Sequence, residues 1–102
     1  MHEILTLSDF EPYLGKRFLV HVNDQVSIEL ELVEIKDMGT DLMETFSLLF
    51  RGPRDRVFFQ NTYRVTQPDM GEFNLFLGPV DIKRTNDIYY EAVFNRFRNN
   101  LT

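Results

Sequence analysis

Apolar and polar residues alternate with a period of two through most of this chain, and the pattern is clearest from Tyr63 to Pro79. Two segments, Tyr63-Arg64-Val65-Thr66 and Phe73-Asn74-Leu75-Phe76-Leu77, flank Gln67-Pro68-Asp69-Met70-Gly71. Pro68 pre-sets the first corner of a turn, Asp69 suits the second, and Gly71 tolerates positive φ. The stretch predicts a β-hairpin whose outward face carries Phe76 as well as Asn74 and Arg64.

The same reading extends along the chain. Ser8 and Glu11 have capping-box spacing and Gly15 offers a stop, which predicts a short helix over Asp9 to Leu14. That helix would lay Phe10, Tyr13 and Leu14 over the open end of a sheet. Phe18, Val20 and Val22 predict a first strand, and Asn23-Asp24-Gln25 a tight turn. A second strand runs from Val26, with Ile28, Leu30 and Leu32 on one face and Ser27, Glu29 and Glu31 on the other. At Leu32-Val33 the phase slips by one, which predicts a β-bulge and a bend that helps a sheet curl. Asp37 to Glu44 reads as a loop. Phe46, Leu48 and Phe50 form a third strand, with Ser47, Leu49 and Arg51 opposite and Gly52-Pro53 at its end. Arg54 to Asn61 is the least regular stretch. Beyond the hairpin, Asp81 to Asp87 reads as a polar turn, Ile88 to Phe94 as the last strand, and Asn95 to Thr102 as a basic, Asn-rich tail.

Short connections leave no room for βαβ crossovers, so the sheet is expected to be antiparallel and to hide its edges by closing or being covered. The expected fold is mainly β: an antiparallel meander of about six strands closing into a small barrel or compact sandwich, with one short N-terminal helix. Residues 1–98 read as a single β domain and residues 99–102 as a frayed tail. Taking Phe18, Val20, Phe46, Leu48, Phe50, Tyr63, Val65, Phe73, Leu75, Leu77, Ala92 and Phe94 as inward leaves Leu19, Leu49, Phe76, Tyr89 and Val93 outward. So large an outward apolar set needs a cover. Within the chain, the N-terminal helix and the Val57-Phe58-Phe59 loop are the segments able to provide it.

A length of 102 residues supports one domain. Ten Phe and four Tyr favour strands, and the absence of Cys removes disulfides, thiolate chemistry and zinc ribbons. No apolar run approaches the ~18 residues of a membrane span, and Met1-His2-Glu3 lacks the basic start of a signal peptide. A cytoplasmic location, or a place in a larger assembly, is expected. The net charge of −5 argues against nucleic-acid binding. The charge is uneven: residues 1–50 hold ten acids and three bases, residues 51–102 six acids and eight bases. Such asymmetry suits head-to-tail association of complementary patches.

Candidate chemistry is sparse. His2 and His21 are the only imidazoles, and His21 falls on a strand face opposite Val20 and Val22. Ser8 and Ser27 are explained by a cap and an outward strand position rather than by nucleophilic catalysis. Glu29 and Glu31 share a strand face, with Glu34 beyond the bulge, in the usual pattern of solvated charge. No phosphate loop, metal-spaced cluster or dinucleotide fingerprint occurs, so neither catalytic nor metal residues nor a cofactor are assigned. Arg51 and Arg64 are candidate anion contacts, since guanidinium groups clamp carboxylates and phosphates. A small-molecule ligand inside the barrel is not expected, because inward Phe and Leu fill a barrel of this size.

Leu5 to Phe10, Phe46-Ser47-Leu48-Leu49-Phe50-Arg51-Gly52-Pro53, Asn61 to Pro79, and Tyr90 to Asn95 together resemble a small bacterial single-domain family of unknown function. The chain departs from that family's pattern at Asn61, where Gly is usual, and over Arg54 to Phe59. The resemblance implies no activity. It does imply a neighbourhood of phage-tail-collar-like proteins, hence a structural or assembly role, with a phage-tail-like or surface fibre protein as a partner.

The function expected from these readings is a non-catalytic structural or protein-interaction module, with a small-ligand or anion-binding barrel, or an enzyme of unrecognised type, as the alternative. Phe58 and Phe59, beside Arg54 and Arg56, have the composition of an anchor loop. With Phe76 and Leu49 they form the candidate interface, for a protein partner or for self-association.

Overall fold

The computed structural model describes residues 5–80 and 87–98. Its strands are β1 (Arg17–His21), β2 (Ser27–Asp37), β3 (Met43–Gly52), β4 (Asn61–Gln67), β5 (Gly71–Val80) and β6 (Ile88–Phe97). They form a closed barrel in the order β1-β2-β3-β6-β5-β4, each neighbouring pair antiparallel. The order differs from the simple meander expected of consecutive hairpins. After β3 the chain crosses the barrel end through residues 53–60, and β4 returns beside β1 through Leu19↔Thr66, Val20↔Val65 and His21↔Arg64. This is a Greek-key return, and it pairs the edge that β1 would otherwise leave open. Among the described residues no helix is long and apolar enough to cross a membrane.

The expected inward residues build the core. All are buried except Phe73 and Phe94, which are partly buried and pack against it. Phe10 is fully buried, with its ring 5.6–6.4 Å from those of Phe18, Phe46, Phe73 and Phe94. Burying such a side chain contributes about 1.5–3 kcal/mol. The N-terminal helix therefore plugs one barrel end and does not cover the outer face. Leu14, expected over the sheet, is exposed.

That helix begins earlier than the capping signal at Ser8 suggested. Helix α1 spans Leu7–Phe10, capped by Thr6, and a 3₁₀ turn follows over Glu11–Tyr13. The Thr6 Oγ1 accepts from the Asp9 N–H (3.3 Å) while the Thr6 N–H donates to Asp9 Oδ2 (2.8 Å). The reason lies in Pro12. A helix capped at Ser8 would need the residue four later to donate its N–H, and proline has none. Gly15 then takes φ +85°, and its N–H donates to the Leu32 carbonyl across 2.7 Å.

The bulge is where the pattern placed it: pairing of β2 with β3 shifts register between Leu32 and Glu34. Asn23 forms the β1–β2 turn, its side-chain oxygen accepting from the Gln25 and Val26 N–H groups at 2.8 and 2.9 Å. The hairpin has longer strands than expected. Its turn is held by Gln67, which is buried and accepts from the Asp69 and Met70 N–H groups at 2.7 and 2.9 Å.

The last strand continues past Phe94 to Phe97 instead of giving way to a tail at Asn95. Polar pairs carry that extension. Thr45 donates to Asn95 at 2.7 Å, and Arg96 donates to Glu44 at 2.6 and 3.0 Å. Strand pairing thus outlasts the apolar alternation that announced it. The frayed tail expected over residues 99–102, and the turn over Asp81 to Asp87 apart from Asp87 itself, lie outside the described residues.

Candidate interaction surface

The irregular loop is more ordered than its composition suggests. Phe58 turns inward and is buried, stacked on Tyr90 at 4.0 Å and edge-on to Tyr63 at 4.7 Å. The Phe58 N–H donates to the Tyr90 hydroxyl (3.4 Å), and the Tyr63 hydroxyl donates to the Phe59 carbonyl (2.5 Å). Burial raises the pKa of both phenols, and the Phe58 N–H offsets part of the rise at Tyr90. Phe58, expected as half of an exposed anchor, is instead the plug of the second barrel end. An aromatic flanked by two tyrosines is more stable there than in water.

Phe59 then points the other way and is 87% exposed. Its backbone is pinned through its own carbonyl and through its buried neighbour. Gln60 lies over Gly78, where an added Cβ would stand 2.9 Å from the Gln60 Cγ. Beside that contact is a shallow cleft of about 230 Å³ bounded by Gln60, Phe76, Pro79, Glu91 and Val93. Phe76 and Val93 are 57% and 56% exposed.

The cleft has a backbone origin. Strands β5 and β6 pair only through Gly78↔Glu91, Pro79↔Tyr90 and Val80↔Tyr89. Phe76 and Val93 flank the point where the two strands part. Leu49 is opposite Glu91 in the β3–β6 register and is half-buried. The structure thus brings the Phe59–Gln60 corner, Phe76 and Leu49 to one side of the barrel, with Val93 among them. Neither the helix nor the loop covers this side, because both are committed to the barrel ends.

The arginines separate. Arg54 and Arg56 are exposed on the loop, and Arg56 borders a polar cleft of about 470 Å³ with Arg17, Glu29, Glu31 and Arg51. Arg51 is ion-paired with Glu31, and that hydrogen bond, followed by one with Tyr89, raises its pKa. Arg64 faces Glu72 at 3.5 Å. The two candidate anion contacts thus sit on strands that are not neighbours, each with a carboxylate of the chain's own.

His21 bridges three strands. Its Nδ1 is 2.9 Å from Ser27 Oγ and its Nε2 is 2.9 Å from Thr66 Oγ1. A Ser–His contact is the first half of a nucleophilic triad, but the second ring nitrogen meets a hydroxyl rather than an orienting carboxylate. Among the described residues, no group of three or more His, Asp or Glu is arranged to hold a metal. The alternation already marks Val93 as an outward apolar residue needing a cover, whereas Gln60 carries no signal, since its place in the cleft follows from where β5 and β6 diverge.

A family model covers residues 5–94, and the chain belongs to that family, a domain of unknown function (DUF6916). No curated protein and no solved structure matches it.

Proposed function

We propose that this member of a family without an assigned activity is a non-catalytic protein-interaction module. Its contact surface is the Phe59 corner together with the outer face at Phe76, Val93 and Leu49. The observation that carries the reading is the rigid display of Phe59. The neighbouring residue is a buried plug, two tyrosines hold the backbone, and the ring stands in solvent. A pre-ordered aromatic loses little conformational freedom on binding, and burying it contributes about 1.5–3 kcal/mol. Arg54 and Arg56 are exposed on the same loop, with Arg56 turned to the polar cleft beside Glu29 and Arg51, so the reading is carried by the aromatic rather than by an adjoining arginine. The family resemblance adds a role in building a larger assembly, such as a fibre or phage-tail-like structure. A ligand-binding barrel has less support, because Phe10, Phe58 and the core side chains occupy the interior.

A photo-crosslinking phenylalanine at position 59, with the same group at exposed Asp24 as control, tests the reading in the native host. Discrete adducts specific to position 59 are expected. Adduct patterns indistinguishable from the control would remove the loop from consideration as an interface.

A further inference from the structure

We infer that two copies of the chain join edge to edge through β6, with residues 93–97 of one pairing antiparallel with the same residues of the other about a two-fold axis at Asn95. On one side β6 is paired with β3 to its last residue, Phe97. On the other, pairing with β5 stops at Gly78↔Glu91. Among the described residues no strand takes up that side beyond Glu91. The ladder says which groups are left open. The Arg98 N–H donates to the Leu42 carbonyl at 2.8 Å, in the register that sets Met43 opposite Phe97. Bonding groups of successive residues point to opposite sides of a strand, so Ala92, Phe94 and Arg96 bond to β3. The N–H and C=O groups of Val93, Asn95 and Phe97 then point away from it. The same alternation leaves Tyr90 unbonded toward β5, where its partner Pro79 has no N–H to give.

Open N–H and C=O groups at every second residue are recognised by another extended backbone, and sheets usually blunt such an edge with charge, proline or a bulge. None of these guards residues 93–97. The side chains in step with the open groups are Val93, Asn95 and Phe97, and Val93 and Phe97 are 56% and 78% exposed. Arg96, the one charged residue of the stretch, lies on the other face and is held by Glu44. The symmetry of the stretch selects a second copy. Val93 and Phe97 stand equally far on either side of Asn95, so pairing about Asn95 sets Phe97 of each copy against Val93 of the other on one outward face. Every open N–H then meets an open C=O, and Arg96 falls opposite Phe94. An axis one residue later would set Arg96 against Arg96. One residue earlier, it would offer Phe97 only Glu91, whose groups Gly78 already takes. The interface is isologous and closes at the dimer. It shares Val93, but not Phe59, with the contact surface proposed above.

Sedimentation velocity of the full chain over a concentration series tests this. The wild type is expected to pass from monomer to dimer and to stop there. Asn95→Lys and Asn95→Asp each set like charges face to face on the axis and are expected to weaken the dimer by about tenfold or more. Their equimolar mixture sets opposite charges there and is expected to restore it. Asn95 is exposed, and circular dichroism checks the fold. The chain has no cysteine, so Asn95→Cys gives a second readout, with Asp24→Cys as control. Facing residues of a bonded pair stand about 5.5 Å apart at Cα, within disulfide reach, so oxidation is expected to link only the first variant. A wild type that stays monomeric, or grows past the dimer, overturns the inference. So does a mixture that fails to recover the dimer, a charge variant that dimerises like the wild type, or cysteine variants that link alike. Phe59→Ser is expected to dimerise like the wild type, so loss of the position-59 adducts and loss of this dimer are separate outcomes.

Discussion

The ring of Phe58 lies flat on that of Tyr90, with centroids 4.0 Å apart and planes within 7° of parallel. This contact makes two adjacent, identical residues unequal: Phe58 closes the barrel while Phe59 stands in solvent.

Phe58→Ala is accordingly expected to cost about 3–5 kcal/mol, as for other buried aromatics. Phe59→Ala is expected to change stability by no more than about 0.5 kcal/mol. Urea denaturation of the two variants gives the comparison. Equal losses would mean that the loop is not pinned as described.

The helix start makes a similar pair. Thr6→Ala removes the side-chain acceptor of the Asp9 N–H, which keeps only the Thr6 carbonyl at 3.0 Å, and is expected to cost about 1 kcal/mol. Ser8→Ala, at the position the sequence first suggested for the cap, is expected to be close to neutral. Chemical denaturation separates the two, and a larger loss at Ser8 would move the cap back there.

Alkaline pH should unfold the protein through its tyrosines. Burial raises the folded-state pKa of Tyr63 and Tyr90 above the ordinary value of 10.0. Above that value the unfolded chain releases protons that the folded chain retains, so stability falls with rising pH. The stabilisation is fully present below pH 10.0 and is lost progressively above it. Thermal melts across the alkaline range, alongside tyrosinate absorbance, check this. Tyr90→Phe removes one titrating phenol and should make the loss shallower. An unchanged slope would place the titration elsewhere.

The β4–β5 turn depends on Gln67 and Gly71 in different ways. Gln67→Leu leaves the Asp69 and Met70 N–H groups without their acceptor and is expected to cost about 1–3 kcal/mol. At Gly71 an added Cβ meets nothing within 4 Å, so the cost of Gly71→Ala comes from φ +85° alone. That cost is about 1–2 kcal/mol, and Gly71→Asn should recover part of it, because asparagine tolerates this region. Equal stability of the Ala and Asn variants would contradict the backbone account.

Much of the barrel was legible before any coordinates. Period-two alternation named nearly every inward residue, the phase slip marked the bulge at Leu32–Val33, and Pro68 with Gly71 marked the hairpin turn. The misreadings share one cause, which is that local signals do not report long-range partners. The helix start is the exception: Ser8 heads a capping-box spacing, but the missing N–H of Pro12, itself a local feature, leaves the cap to Thr6. Asn95 and Arg96 look like a tail until Thr45 and Glu44 are brought opposite. Arg51 and Arg64 read as candidate anion contacts until the strand order sets them on strands that are not neighbours, each beside a carboxylate of the chain's own.

The candidate surface was legible in composition but not in arrangement. Phe76, Leu49 and the Phe-Phe pair were identifiable as apolar groups needing an explanation. Which of Phe58 and Phe59 faces water was not.

The sequence by itself determined the strands, their inward faces and the antiparallel class, because alternation, turn residues and bulges act over a few neighbouring positions. Only the tertiary structure decided the Greek-key order, the plugging of the barrel by Phe10 and Phe58, and the outward display of Phe59. Those features depend on pairing between distant strands: β4 must close on β1, which carries residues 53–60 across the barrel end and into reach of Tyr63 and Tyr90.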